Sequence, residues 1–293
     1  MSAFPRTLVK LADWAAACQV LGLDGNNTGL VKAVGVDVGN TFVKIYPLPS
    51  GGASDTPLRD RLRQMQSVPV ISTDNRSPEG LIDLVLGEWG HLPTIWHVVS
   101  VDPEFTQPFE QVATHQGLTV TVWDAVHPIP ISNPYDLPGT LGVDRLLVAL
   151  AARALYPGQA TIVVDAGTAV TVDLIGPSGD FEGGAIAPGL PALNTMLSSS
   201  GRQLPEIDLL QAVDYPGTST ESCLAAGLHA AFDGGVARLV ALAEEQAPDA
   251  AIVVTGGDLD RVVRALSGST HHVEPALFHM GFLELERIRA AQS

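Results

Sequence analysis

Two stretches of this chain repeat one design 128 residues apart. "VGVDVGNTFVKIY" (34–46) and "TIVVDAGTAVTVDLI" (161–175) each open as a β-branched run, carry an aspartate near its end, turn on a glycine with a threonine within two residues, and leave as a second β-branched run. A strand-turn-strand unit recurring at that distance excludes a short-period solenoid. It points to an internally duplicated α/β fold with one carboxylate-bearing hairpin per domain.

Asp37 and Asp165 sit where a buried strand would otherwise be apolar, and an unpaired carboxylate there costs several kcal/mol. Something cationic or strongly hydrogen-bonding must face each one. Gly39 lets backbone approach a ligand, and Asn40 and Thr41 add polar side chains that suit phosphate oxygens. Taken alone, the first hairpin reads equally well as an Asx-stabilised turn. The second copy, with Gly167 and Thr168 behind Asp165, favours two carboxylates converging on a ligand, an arrangement that suits magnesium with substrate phosphates.

Charge narrows the partners. The chain of 293 residues has a formal net charge of −16, and its only lysines are Lys10, Lys32 and Lys44. A phosphate-tracking basic surface is therefore not expected, and no nucleic-acid partner is. Anions would instead be held by backbone N–H groups, helix N-termini and bound cations. Cys18 and Cys223 form no framework and no metal spacing, which fits a reducing, cytoplasmic setting. No apolar run reaches the ~18 residues needed to span a bilayer, so no membrane is expected. The leader-like start with Arg6 and Lys10 is interrupted by Asp13 and reads as an amphipathic helix.

The length suggests two domains. Residues 1–32 read as an extension, 33–157 as the first domain and 158–293 as the second, with Pro157-Gly158 at the boundary. Helices are expected over 78–90, 105–118, 143–157, 220–232 and 234–246, and strands over 94–101 and 119–125. An amphipathic helix should close the chain. His271-His272 reads as a surface turn.

A third constellation is "YDLPGTLGVDRL". Gly142, Asp144 and Arg145 stand at the entry to a helix, where Asp144 is either a first-turn residue favoured by the dipole or a base able to accept a hydroxyl proton. Arg145 would orient a polar or acidic substrate, and Tyr135 would add a hydrogen bond. "GGAIAPG" (183–189) and Gly256-Gly257 in "TGGD" are either tight turns or bare backbone for a ligand. Thr218 and Glu221 fit a capping box, which leaves Thr220 unexplained. P-loop, dinucleotide-binding, zincin and nucleophile-elbow motifs are absent.

In order and approximate spacing, "DVGNTFVK", "LGVDR", "DAGTAVTVD", "FEGGAIAPG", "STESCLAAG", "VVTGGD" and "EPALFHMGFLEL" resemble the type III pantothenate kinases, within the acetate and sugar kinase, Hsc70 and actin superfamily. The resemblance covers about residues 33–286. It implies two duplicated ribonuclease H-like (actin-like ATPase) domains around an interdomain cleft, a homodimer, and transfer of the ATP γ-phosphate to pantothenate, the first step of coenzyme A biosynthesis.

By that resemblance Asp37 holds magnesium and nucleotide phosphates, beside Gly39, Asn40, Thr41 and Lys44. Asp144 is the general base, and Tyr135, Gly142 and Arg145 bind pantothenate. Asp165, Gly167 and Thr168 line the phosphate site, with Gly256 and Gly257 at the nucleotide. Asp165 also marks a monovalent cation (potassium or ammonium) or phosphate site, and Thr220 closes the pocket of the neighbouring subunit. Gly201-Arg202 and Ser219 depart from the pattern. A phosphatase or ATPase on the same fold, or a non-catalytic regulator, are the rival expectations.

Overall fold

The computed structural model describes residues 31–39, 41–48, 70–100, 102–124, 127–200, 204–210 and 213–292. The N-terminal extension, Asn40, Cys18 and Gly201-Arg202 lie outside the described residues.

The first hairpin forms as its alternation requires. β1 (Ala33–Val38) pairs antiparallel with β2 (Val43–Leu48), which pairs with β3 (Ile71–Thr73); β4 (Ile95–Ser100) and β5 (Thr119–Trp123) add in parallel, giving the order β3-β2-β1-β4-β5. The second sheet repeats this. β6 (Thr161–Ala166), β7 (Ala169–Ile175) and β8 (Phe181–Pro188) are antiparallel, while β9 (Ala251–Gly256) and β10 (His272–Val273) run parallel to β6 in the order β10-β9-β6-β7-β8. Read from β8, each strand is the counterpart of the one five places earlier. This is the ribonuclease H-like order, present twice.

One face of the first sheet packs against α2 (Pro103–His115), which packs in turn on α1 (Pro78–Trp89), both helices started by proline just after a capping Asp102 or Ser77. There Trp96 meets Phe109 at 5.5 Å between ring centroids. The opposite face carries Gly35, Asp37, Lys44, Tyr46 and His97, placed together by register. Across it lies α7 (Leu277–Gln292), which also packs on α3 (Val143–Leu155). Gly35 makes this possible, because the Phe282 ring fills the space a Cβ would take. Tyr46 then packs on Phe282 and meets His279 edge-on, with centroids 4.8 Å apart. Burial holds His279 neutral, with its pKa lowered to about 3.

Further along α7, Glu286 accepts from His97 Nε2 at 2.7 Å and from both Nε and Nη2 of Arg289. Trp123 Nε1 donates to His97 Nδ1 at 3.1 Å, which fixes the ring's Nε2–H tautomer. Burial alone would raise the Glu286 pKa, but the hydrogen bonds from Arg289 and His97 and the charge of Arg289 outweigh it and bring it to about 2.

The structure departs from several expectations. The chain divides into one unit ending at Leu155 that takes back Ala276–Ser293, and a second, Tyr156–Pro275. The closing helix therefore belongs with the first sheet, because residues 276–285 are buried all round and fill the space over Gly35. They do not form a one-sided amphipathic face. The two helices expected over 220–246 are a single α5 (Thr220–Gln246). Gly234-Gly235 does not break it, since Ala225, Leu228, Phe232, Val236 and Val240 on either side pack in one apolar core and outweigh ~1 kcal/mol per glycine. α5 is long and apolar enough to cross a membrane by length and composition, but this stripe belongs to the core of the second unit. The cap is also one residue later than expected: Ser219 and Ser222 form the reciprocal box, because Ser222 Oγ can accept from the Ser219 N–H as a glutamate would. His272 is the first residue of the exposed strand β10 rather than part of a turn. α4 (Leu190–Ser200) and α6 (Leu259–Ala265) complete the second unit.

Gly35→Ala forces a methyl into the Phe282 ring and should destabilise the first unit by about 1–3 kcal/mol in chemical denaturation. Glu286 contributes stability above its unfolded pKa that is lost as pH falls toward about 2. Between about pH 4.5 and 2 the unaltered chain should therefore lose stability that Glu286→Gln lacks throughout, measured as denaturation midpoints against pH.

Candidate functional site

In the first unit the hairpin turn is held at its entrance. The Gly39 N–H donates to Phe42 O at 3.1 Å, and the Gly39 carbonyl accepts from Arg76 Nη2. Thr41 is exposed beside it. Asp37, only 6% exposed, stands one residue before the end of β1, opposite Lys44 on β2 and Val99 on β4. Lys44 Nζ lies 5.8 Å from the centroid of the Phe278 ring, a cation–π contact that keeps its charge on the α7 side of the sheet.

The base candidate sits at the start of α3. Gly142 O accepts from the backbone N–H of Arg145 and Leu146, so Gly142 caps the helix and Asp144 falls in its first turn. Asp144 Oδ1 accepts from the Arg145 N–H at 2.9 Å. A Cβ on Gly142 would stand 2.5 Å from that same oxygen, so glycine leaves room for the carboxylate to fold back on its own turn. Burial raises the Asp144 pKa above the ordinary carboxylate value, and the Arg145 N–H and charge only partly oppose this. The Arg145 side chain is buried, and its Nη1 donates to the Tyr135 hydroxyl at 3.2 Å. Tyr135, Gly142, Asp144 and Arg145 thus form one group.

In the second unit Asp165 occupies the position of Asp37. Its row across the sheet is Thr171 on β7 and Thr255 on β9, and both hydroxyls are buried with no hydrogen-bond partner among the described residues. The turn behind it is one residue shorter, closed by Gly167 N–H to Ala169 O at 2.9 Å. Gly256, at φ +96°, stands so close that a Cβ there would meet Asp165 Oδ1 at 2.5 Å. Gly189 backs onto the Gly167 and Thr168 carbonyls. Gly256 and Gly189 therefore serve close backbone approach around the turn, while Gly257 is exposed with open space above it. Thr220 is the exposed first residue of α5, and no described contact joins it to the Asp165 group.

Among the described residues no group of three or more His, Cys, Asp or Glu could hold a metal ion. Lone carboxylates at strand ends fit magnesium, which is bound by one or two carboxylates plus substrate phosphates and water rather than by an all-protein cage.

Residues 33–242 match the family model for type III pantothenate kinase. The chain belongs to the type III pantothenate kinase family. A type III pantothenate kinase of Dehalococcoides mccartyi is 32% identical over 235 residues, 77% of this chain and 84% of its own. One of Rhodopirellula baltica is 31% identical over 279 residues, 86% and 97% of the two chains. Among solved structures, the activator of the 2-hydroxyisocaproyl-CoA dehydratase from Clostridium difficile with bound ADPNP superposes with a TM-score of 0.51 at 11% identity, covering 89% of this chain and 97% of that one. That likeness establishes the actin-like ATPase fold alone.

Sequence reasoning passed over Arg76 and Asp102. Arg76 stands alone in "STDNRSPEG", outside every motif and element read there.

A raised folded pKa means that ionised Asp144 opposes folding. Its favourable contribution is complete below the unfolded pKa of about 3.9 and is lost as pH rises through the higher folded value. Asp144→Asn should therefore melt above the unaltered chain at pH 7, with the advantage vanishing below about pH 4, measured by calorimetry across pH.

Proposed function

We propose that this chain transfers the γ-phosphate of ATP to the terminal hydroxyl of pantothenate, committing it to coenzyme A synthesis, with Asp144 as general base. Membership of the type III pantothenate kinase family supports the reaction. The observation that carries the assignment of the base is the raised proton affinity of a carboxylate held at a helix start beside a buried arginine.

The substrate hydroxyl is oriented for attack by Tyr135, Gly142 and Arg145. As its oxygen bonds to phosphorus, its proton passes to an Asp144 oxygen, and the bond from the γ-phosphorus to the bridging oxygen of ADP breaks. A partly buried carboxylate with a raised pKa accepts that proton more readily than an exposed one. Arg145 keeps its charge on the substrate side, because its Nη1 is already directed to Tyr135. In a loose phosphoryl-transfer transition state, positioning and charge neutralisation contribute more than base strength.

In the first unit Asp37, the turn residues Gly39, Asn40 and Thr41, and Lys44 on β2 are assigned to nucleotide phosphates; in the second, the family resemblance assigns Asp165, Gly167, Thr168, Gly256 and Gly257 the same role. Magnesium at Asp37 neutralises phosphate charge when bound. A monovalent cation, potassium or ammonium, is assigned to the Asp165 end, where the Thr171 and Thr255 hydroxyls add oxygen donors. A homodimer in which Thr220 completes the neighbour's pocket accords with the exposed apolar side chains Ile186, Met196, Leu210 and Tyr215 of the second unit. An exposed free Cys223 suits the cytoplasm.

ADP release with ATP, magnesium and potassium should depend on added pantothenate. Asp144→Asn should lower kcat by roughly 10²–10⁴-fold, with an acid limb in the unaltered enzyme that begins above the ordinary aspartate range. Release indifferent to pantothenate would overturn the acceptor.

A further inference from the structure

The first hairpin carries a device of its own. Arg76 reaches across the ends of β1 and β4: Nη2 donates to the Gly39 carbonyl, and Nη1 donates to Asp102 Oδ2 at 2.7 Å. Asp102 is itself fixed. Its Oδ1 accepts from the Glu104 and Phe105 N–H groups as the cap of α2, its N–H donates to Ser100 Oγ, and its carbonyl accepts from Ser100 Oγ and Thr106 Oγ1. Ser100 in turn stands beside Val38, the residue before Gly39. A planar, always charged fork is thereby locked between a helix cap and the turn.

Both backbone polar groups of Gly39 are consequently occupied, the N–H by Phe42 and the carbonyl by Arg76. In the second unit the equivalent Gly167 carbonyl packs against bare Gly189 backbone. The two copies thus back this carbonyl differently, and the arginine fork belongs to the first turn. It also supplies a positive charge at the turn while Lys44 points to the Phe278 ring.

We propose that Arg76 is a positioning residue for the nucleotide. Its guanidinium, braced by Asp102, fixes the Gly39 peptide so that the turn is held ready for phosphate before ATP arrives. This rests on the reading of the 37–44 hairpin as a phosphate turn. It predicts that Arg76 affects ATP and not the acceptor, because an organised turn saves ordering at binding without touching the pantothenate group.

The test is Arg76→Ala, with Arg76→Lys beside it. Affinity for a non-hydrolysable ATP analogue with magnesium is read by calorimetry, and KM and kcat for both substrates by ADP release. Arg76→Ala should weaken analogue binding and raise KM for ATP about tenfold, leave KM for pantothenate within about twofold, and keep a cooperative melt. A lysine carries the charge but cannot fork to two acceptors, so Arg76→Lys should recover only part of the loss. Unchanged analogue affinity, or equal weakening toward both substrates, overturns the proposal. If Arg76→Ala does not fold, Arg76→Lys decides alone: selective loss for the analogue supports the role, and unaltered affinity refutes it. Analogue binding is measured without turnover, so a failure of pantothenate-dependent ADP release would count against the acceptor and leave this result standing.

Discussion

An aspartate in the middle strand of a five-stranded sheet cannot retreat to water, and both sheets of this chain are built around one. Asp37 and Asp165 occupy the same place in β1 and β6, flanked on each side by another strand. Their surroundings have diverged. Asp37 has Lys44 across the hairpin, with Arg76 at the turn just beyond, whereas Asp165 lies between two threonines. One copy places fixed positive charge near the turn; the other offers hydroxyls, which can bind either an anion or a cation. Duplication thus yields two turns with different electrostatics rather than two equal halves.

Glycine sets the geometry around these charges. Gly142 leaves the volume into which the Asp144 carboxylate folds, and Gly256 does the same for Asp165. Gly35 performs the apolar version by admitting the Phe282 ring. In each case the missing Cβ is occupied by a side chain, or part of one, from another residue. Charge placement and helix docking therefore follow from close approach as much as from attraction.

The hairpins were legible because strand alternation, a turning glycine and a misplaced carboxylate are all local signals, and because they occur twice. The Tyr135, Gly142, Asp144 and Arg145 group was legible for a related reason: a helix start gathers nearby residues without help from the rest of the chain. What escaped was decided at a distance. Gly234-Gly235 reads as a break until Phe232 and Val236 are seen in a common core. The buried face of α7 answers to Gly35, more than 240 residues earlier, and Arg76 acquires meaning only when β1 and β4 bring Gly39 and Asp102 together. The one-residue slip of the α5 cap was a local error, made by favouring glutamate where a serine serves.

The return of α7 to the first sheet sets an order of assembly. During synthesis the second unit, Tyr156–Pro275, emerges as one continuous stretch that already contains all five strands of its sheet. The first unit emerges earlier but lacks the cover for Gly35, Tyr46 and His97 until the final helix leaves the ribosome. The half of the chain made first must therefore finish folding last, with one apolar face exposed in the interval, the kind of surface on which chaperones act.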